Sequence, residues 1–292
     1  MSSFALGVIA ALGSAAAWAA ALIVLKTLRR DLSPFGLSLV AALLGIVCIG
    51  GLSLLQGESL PPLTASLALG LSGVLGIAVG DTLFFAAMPL LRAQTLVLLG
   101  FLGQGLTVVF GVLLLGEQLN LQQTLGIIAT LIGLSVVTLD EAEESQSAQT
   151  TRTGLCFGVL SSLAAAGSVI LAKQGLDSVS ATQGTFIRLL WGGLALLVLG
   201  TTTKQLRAWL EPLSHRPTLV RCSLASLLAA FGGFYLFHYA LTKIDVVVAA
   251  PLSAAEPLFT LPLALIVLRE RSGPAGLLGT ALAAGGIIAI CI

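Results

Sequence analysis

Charged residues are scarce in this chain. Asp, Glu, Lys and Arg make up 9% of its 292 residues, whereas 57% of the residues are apolar and the mean hydropathy is +1.05. A chain with so little charge cannot stay soluble as a globular domain. The composition therefore excludes the soluble classes and places the chain in a lipid bilayer.

Residues that support enzyme chemistry are also few. The four cysteines are isolated, without a C-x-x-C pair, and the only histidines are His215 and His238, so we expect neither a metal site nor a redox centre. No glycine-rich loop is followed by Lys-Ser or Lys-Thr, which argues against ATP hydrolysis. An intramembrane aspartyl protease requires a G-x-G-D loop, and the stretch that ends at Gly80-Asp81 lacks the first glycine. We expect a protein that is not an enzyme and has no cofactor.

Long apolar runs are what the chain does have. About 20 apolar residues in a helix cross the roughly 30 Å of hydrocarbon, and no alternating pattern suggests a barrel. No Lys or Arg precedes Lys26, so the first run is expected to be a retained span and not a cleaved signal peptide. The sequence predicts an all-α integral membrane protein whose ten transmembrane helices lie near residues 4–25, 34–55, 64–86, 93–115, 120–139, 154–172, 181–200, 218–240, 246–268 and 274–292.

The two halves of the sequence repeat each other. A shift of 153 residues places Glu117 on Glu270, and the same shift matches further pairs: Gly126 with Gly279, Gly133 with Gly286, Phe84 with Phe237, Ala87 with Ala240 and Thr107 with Thr260. A shift of 147 residues matches Gly7, Ser14 and Lys26 with Gly154, Ser161 and Lys173. We predict a first five-helix repeat over residues 1–139, an acidic polar linker over 140–153 and a second repeat over 154–292.

Five spans per repeat determine the relation between the halves. A unit with an odd number of crossings leaves the membrane on the opposite face, so its copy must run inverted. Inverted repeats are typical of secondary transporters, whose substrate site lies near the midplane between the halves. The alternative is a duplication that only enlarged a helix bundle.

The residues at the ends of the repeats carry a family resemblance. Gly116-Glu117 closes the fourth span and is followed by Gly126 and Gly133, while Glu270 is followed by Gly279 and Gly286; Gly80-Asp81 with Phe84, and Glu256-Pro257, also fit. The chain resembles the EamA-type ten-helix members of the drug/metabolite transporter superfamily over nearly its whole length. The resemblance implies transport of a small molecule and an export direction.

Four ionisable residues within the predicted spans stand out: Asp81, Arg188, His238 and Glu256. Such groups are costly in hydrocarbon and usually face a cavity or a partner. Asp81 is a candidate proton carrier; the alternatives are that it accepts hydrogen bonds from a neighbouring helix or forms a structural pair with Arg188. Arg188 is suited either to a substrate anion or to neutralising Asp81 or Glu256. His238 is a titratable ring or a packing residue.

Other candidates surround these charges. Pro257 follows Glu256 in the ninth span and predicts a kinked or broken helix beside a carboxylate, a plausible binding site. The alternative is that Glu256 is capped by helix ends and only specifies packing. The counterpart of Pro257 in the first repeat is Gln104. Candidates for the remaining lining of the pathway are uncharged polar and aromatic side chains: Trp18, Gln94, Gln104, Trp191 and Tyr239. Gln94 and Gln104 are ten residues apart, a spacing that does not align them on one face of a helix.

Two glutamates are assigned to the scaffold. Glu117 and Glu270 are equivalent in the two repeats and end their spans, which indicates a shared packing or loop-fixing role. The segment from Lys204 to Pro217, with Trp209 among basic residues, is typical of an anchor at the membrane interface.

Orientation is open between two arguments. With a cytoplasmic N-terminus, which the resemblance implies, the inner loops hold two basic residues, Lys173 and Lys243, against eleven in the outer loops. The positive-inside rule favours the reverse orientation, with both termini outside.

Together these features predict a proton-coupled secondary transporter in the inner cell membrane that exports a small metabolite or drug. A flippase for a lipid-linked substrate and a non-transporting scaffold are the alternatives. The expected partners are the small-molecule substrate and the lipid bilayer, with no nucleic acid, and the chain is expected to act as a monomer or homodimer.

Overall fold

The computed structural model describes residues 2–28, 33–58, 61–87, 90–91, 93–140, 152–256, 258–259 and 274–291. Within these ranges the chain is built from helices and short connections, and no strand occurs.

The first half forms five spans. The third span is composite, because a π-helix interrupts its α-helical path. In chain order the elements are α1 (Ser3–Leu28), α2 (Pro34–Leu55), α3 (Leu63–Gly73), the π-helix π1 (Val74–Asp81), α4 (Thr82–Ala87), α5 (Ala93–Leu115) and α6 (Leu121–Asp140).

The second half repeats this order. Its third span, the eighth of the chain, again contains a π-helix. The elements are α7 (Arg152–Leu176), α8 (Ala181–Thr202), the short α9 (Leu206–Leu210) with a 3₁₀ turn (Glu211–Ser214), α10 (Arg216–Leu227), the π-helix π2 (Leu228–Tyr235), α11 (Leu236–Leu241), α12 (Val246–Ser253) and α13 (Pro274–Cys291).

Several helices begin at side-chain caps. The Ser33 hydroxyl accepts a hydrogen bond from the Gly36 N–H at 3.1 Å at the start of α2. Before α6, the side chains of Asn120 and Gln123 each accept from the other's backbone N–H, at 2.7 and 3.2 Å. This reciprocal capping satisfies backbone donors that the first turn leaves unpaired.

The outer surface is apolar. Six helices of the described chain are long and apolar enough to cross a membrane, and shorter apolar helices fall in the fourth, fifth and tenth spans. Leu67, Leu113 and Val198 are among the large apolar side chains exposed on this surface, which suits contact with lipid. With α12 opening the ninth span, the chain is a ten-span, multi-pass membrane protein, as the sequence predicted.

The halves are interlocked by an exchange of their first helices. α1 of the first half packs on π2, α11 and α12 of the second, whereas α7 of the second half packs on α3, π1 and α5 of the first. This mutual arrangement relates the halves by a pseudo-two-fold operation, as inverted repeats require.

Glycines let the last helices of the two halves, α6 and α13, approach closely. A Cβ placed on Gly126 would lie 2.8 Å from the Gly286 carbonyl oxygen, and one on Gly133 would lie 2.6 Å from the Gly279 carbonyl oxygen. Distances below 3 Å leave no room for a methyl group. The spaced glycines therefore serve helix packing, the scaffold role that the sequence indicated.

Two details of the sequence prediction are corrected. Asp140 ends α6 and Arg152 begins α7, so the ends of the predicted 140–153 linker are helical; residues 141–151 lie outside the described residues. Trp209 is 4% exposed and stacks on Phe35 with ring centroids 5.2 Å apart, over Gly200. Its ring fills the interior between helices, so Trp209 itself does not face the headgroup layer, and the anchor role of the segment stays a prediction.

Candidate functional site

The two π-helices occupy equivalent places in the repeats. Shifted by 153 residues, π1 overlaps π2 in all but one residue, and Gly80 falls on Gly233. A π-helix widens the turn and changes the direction of the side chains that follow it, and such segments are frequent at functional sites. Neither π-helix was predicted from the sequence, although both segments contain two glycines, Gly76 and Gly80 in π1 and Gly232 and Gly233 in π2.

Asp81 is the last residue of π1, and its repeat counterpart in π2 is Phe234. The Asp81 side chain is only partly buried. Its electrostatic partner is Arg188 of α8, and among the described residues no donor forms a hydrogen bond to its carboxylate. A carboxylate of the first half thus faces a guanidinium of the second half without a direct bond.

Arg188 is held by other partners. It is 6% exposed, its Nη2 donates to the Ser168 hydroxyl of α7 at 2.9 Å, and its Nη1 donates to Nε2 of His238 in α11. The close Arg188–Asp81 pair that the sequence suggested is not formed in this conformation. A Cβ on Gly76 of π1 would lie 3.1 Å from Nη2, so the absent side chain at Gly76 provides space for the guanidinium.

The hydrogen bonds assign the protonation state of His238. Arg188 has only donors, so Nε2 must accept, and a neutral ring then carries its hydrogen on Nδ1. Nδ1 lies 2.8 Å from the Thr185 hydroxyl, which donates in turn to the Ala181 carbonyl at 2.7 Å. His238 is therefore a neutral ring that positions Arg188 in this conformation.

The Ser168 end of this network reaches the third span. The Ser168 hydroxyl donates to the Ser72 carbonyl at 2.8 Å, and the Ser72 hydroxyl donates to the Ser168 carbonyl at 2.6 Å. This reciprocal pair fixes α7 against α3 beside the guanidinium. Arg188 is consequently positioned by spans from both halves.

Some buried polar atoms lack a partner among the described residues. These atoms are Nε of Arg188, the Thr82 hydroxyl directly after Asp81, the Ser253 hydroxyl at the end of α12, and the Ser226 hydroxyl in α10. Buried polar groups are nearly always paired, so each exception needs an explanation. The unpaired Nε of Arg188 leaves a donor beside Asp81 that a polar molecule could satisfy.

Aromatic rings form one wall of this centre. The Trp18 ring of α1 meets Phe234 edge-on with centroids 5.2 Å apart, and Phe234 stacks on His238 at 6.5 Å. Tyr239 lies farther along α11, where it contacts Tyr235 and where the Lys243 Nζ is 5.4 Å from its ring centroid. Trp18 is thus joined to the Arg188 network, whereas Tyr239 is placed towards the end of the span.

The ninth span is interrupted before Glu256. α12 ends at Ser253, and the Ala255 N–H donates to the Leu252 carbonyl at 3.2 Å in a tighter turn. Glu256 follows this turn and is partly buried, while Pro257 lies outside the described residues. Gln104 of α5 is also partly buried, and the Gln94 side chain is not described. The interruption agrees with the break that the sequence predicted at this carboxylate.

Glu117 forms hydrogen bonds to the second half of the chain. Its two carboxylate oxygens accept from the N–H groups of Val246 and Val247, both at 2.9 Å, at the start of α12. A carboxylate at a helix N-terminus satisfies unpaired donors and complements the helix dipole. Glu117 of the first half therefore anchors a helix of the second; Glu270 lies outside the described residues.

Trp191 does not line the centre. It is 47% exposed on the face of α8 that also exposes Leu194 and Val198, and it packs on Gly70. The expectation that Trp191 lines the pathway is wrong, because its face of α8 points outward to the lipid. Within the described residues no group of His, Cys, Asp and Glu side chains is arranged to hold a metal ion.

Comparison with known proteins agrees with the fold. A crystal structure superposes with a TM-score of 0.80, covering 99% of this chain and 97% of the other at 19% sequence identity, which shows a common fold alone. No curated protein matches the chain significantly. The model of the EamA-like transporter family matches twice, over residues 5–139 and 152–292. With both halves matched, the chain belongs to the EamA-like transporter family.

Proposed function

We propose that this protein is a proton-coupled secondary transporter that exports a small metabolite, such as an amino acid or related compound, or a drug across the inner cell membrane. The observation that carries the proposal is the centre formed by Asp81 and Arg188, together with the unpaired Nε of Arg188. Asp81 belongs to the first half and Arg188 to the second, the place where inverted-repeat carriers bind their cargo.

The centre contains groups for both the proton and the cargo. The Asp81 carboxylate has no bonded donor among the described residues, so it can take up a proton or bind a donor group of the cargo. Protonation of Asp81 would remove the negative charge that faces Arg188 and so change the affinity for a polar cargo. Cargo and proton then compete for one centre, which is the requirement for exchange.

The remaining predicted residues are assigned around this pair. Arg188 offers its unpaired Nε–H to an acceptor on the cargo, and Trp18 supplies an apolar surface beside it. Glu256, at the interrupted helix, is a second candidate proton carrier, and Gln104 and Tyr239 are candidate contacts along the path. Both halves of the pathway lie in one chain, so a monomer is sufficient, whether or not it forms a homodimer.

The test is a growth panel in a host that lacks its own exporters. Cells producing wild type, Asp81→Asn or the control Asp177→Asn at equal membrane abundance are challenged with toxic amino acids, nucleoside analogues and drugs. Asp177 is exposed after α7, so its substitution removes a carboxylate away from the centre. We expect wild type and Asp177→Asn to protect against one compound class and Asp81→Asn to give no protection.

Either of two results would contradict the proposal. Protection by Asp81→Asn equal to that of wild type would remove Asp81 from the transport site. No protection by any variant against any compound would contradict export and favour a flippase for lipid-linked substrates or a scaffold.

A further inference from the structure

Two buried serines make the same bond in the two halves. The Ser14 hydroxyl of α1 donates to the Gly233 carbonyl of π2 at 2.8 Å, and the Ser161 hydroxyl of α7 donates to the Gly80 carbonyl of π1 at 2.8 Å. Each bond runs from the first helix of one half to the π-helix of the other half. The two bonds therefore join the halves to each other.

The two bonds are equivalent under the repeat. Ser14 and Ser161 are 147 residues apart, the register that relates the first and sixth spans. Gly80 and Gly233 are 153 residues apart, the register that relates the third and eighth spans. The hydroxyl donor and the carbonyl acceptor therefore occupy equivalent positions in both repeats. The bond is a feature of the repeated unit and not an incidental contact.

The acceptors lie where each span is able to bend. A π-helix and a side-chain hydroxyl in the hydrogen-bond ladder are both recognised causes of helix bending. Beyond π1 the chain continues as α4, and beyond π2 it continues as α11; we call these two segments the arms. Because the repeats are inverted, the arms lead to opposite faces of the membrane.

The α11 arm is closed against neighbouring helices along its length. At its start Ser14 bonds to Gly233, and a Cβ on Gly13 would lie 3.2 Å from Cδ1 of Leu236. At its end Lys173 donates to the Leu241 carbonyl at 2.6 Å and to the Ile244 carbonyl at 3.0 Å. Movement of this arm away from α1 would separate the halves on that side.

We propose that Ser14 and Ser161 are positioning residues that act as a matched pair of latches, Ser14 holding the α11 arm closed and Ser161 the α4 arm. Opening towards one membrane face releases one latch while the other stays bonded. This inference rests on the proposed transport function, because alternating access is what the latches would control.

The test measures opening of each arm separately. The four native cysteines are replaced by Ala, and a reporter cysteine is introduced by Leu83→Cys in α4 or by Leu236→Cys in α11. These two positions are partly buried and 153 residues apart, so they are matched by the repeat. A hydrophilic maleimide is added to the purified protein in detergent, where both faces are accessible, and the labelling rate of each reporter is recorded.

Reciprocal changes are expected. Ser161→Ala should raise labelling at the Leu83→Cys reporter by about threefold, the change that one interhelical hydrogen bond in a membrane protein corresponds to. It should leave labelling at the Leu236→Cys reporter unchanged or lower. Ser14→Ala should raise labelling at the Leu236→Cys reporter and leave labelling at the Leu83→Cys reporter unchanged or lower. The variant with both Ser→Ala substitutions should restore the wild-type ratio of the two labelling rates. Ser→Thr at either position keeps the hydroxyl and should stay close to wild type.

Ser135→Ala is the matched control, because the Ser135 hydroxyl donates to the Leu131 carbonyl within its own helix at 2.7 Å. A general loosening of the fold would raise labelling at both reporters in each Ser→Ala variant, and that result would overturn the proposal, as would unchanged rates. Cargo transport is measured separately in liposomes. Reciprocal labelling without transport would contradict the proposed function alone, and transport without reciprocity would contradict the latches alone.

Discussion

The capping of α12 by Glu117 gives a prediction whose size follows from the geometry. Both carboxylate oxygens accept a backbone N–H at 2.9 Å, from Val246 and Val247. A hydrogen bond to a charged group contributes about 1.5–3 kcal/mol. Glu117→Gln keeps one acceptor but directs an N–H₂ group at the second donor and removes the charge that complements the helix dipole. We expect a loss of about 2 kcal/mol of unfolding free energy.

Glu117→Ala removes both acceptors and should cost about 3–6 kcal/mol, on the same value per bond. At about 2–4 °C per kcal/mol, Glu117→Gln should lower the Tm of the purified protein in detergent by about 4–8 °C, and Glu117→Ala should lower it further. Asp177→Asn, at an exposed carboxylate, should leave the Tm within about 1 °C, because surface substitutions change stability little.

The ordering of the variants is the decisive feature of this experiment. Equal Tm values for wild type, Glu117→Gln and Glu117→Ala would show that water or another group satisfies the α12 donors. The inference that this glutamate joins the two halves would then be wrong. A uniform drop for all three carboxylate variants, including Asp177→Asn, would point to a general charge effect and would equally refute it.

Three further predictions concern packing and the site. Gly133→Ala places a methyl group against the α13 backbone, so it should lower the unfolding free energy by about 1–3 kcal/mol and lower the Tm with it. Gly105 has open space around it, so Gly105→Ala should leave the Tm unchanged. Trp18→Ala should reduce transport, while Trp191→Ala at the lipid face should not; the reverse result in a transport assay would contradict the assignment of the aromatic wall. Lys173→Met should lower the Tm by removing two bonds to carbonyls at the end of α11, and an unchanged Tm would show that those carbonyls have other donors.

Sequence reasoning predicted the spans closely because apolar length is set by the bilayer itself. The predicted spans 34–55 and 93–115 coincide with α2 (Pro34–Leu55) and α5 (Ala93–Leu115). The inverted repeat followed from counting crossings. The recurrence of a glutamate in both halves predicted a scaffold role for Glu117, and the structure adds its two bonds to the start of α12.

The arrangement of the Asp81–Arg188 centre could not be predicted without the fold. Arg188 and His238 are 50 residues apart, and their pairing depends on how the seventh and eighth spans cross, which composition does not encode. The π-helices were missed because an apolar run has the same appearance whether its hydrogen bonds are α or π. Trp209 and Trp191 were misassigned because the orientation of a ring depends on which glycine provides space for it, Gly200 for the first and Gly70 for the second.

The measurement that tests the central claim most directly is proton movement coupled to cargo in liposomes. The cargo class identified by growth protection is added to liposomes that contain the protein and a pH-sensitive dye, and the proton flux is recorded for wild type, Asp81→Asn and Asp177→Asn. The account predicts that cargo drives a proton flux in wild type and Asp177→Asn and none in Asp81→Asn. Cargo transport by wild type without proton movement, or an undiminished proton flux in Asp81→Asn, would contradict it.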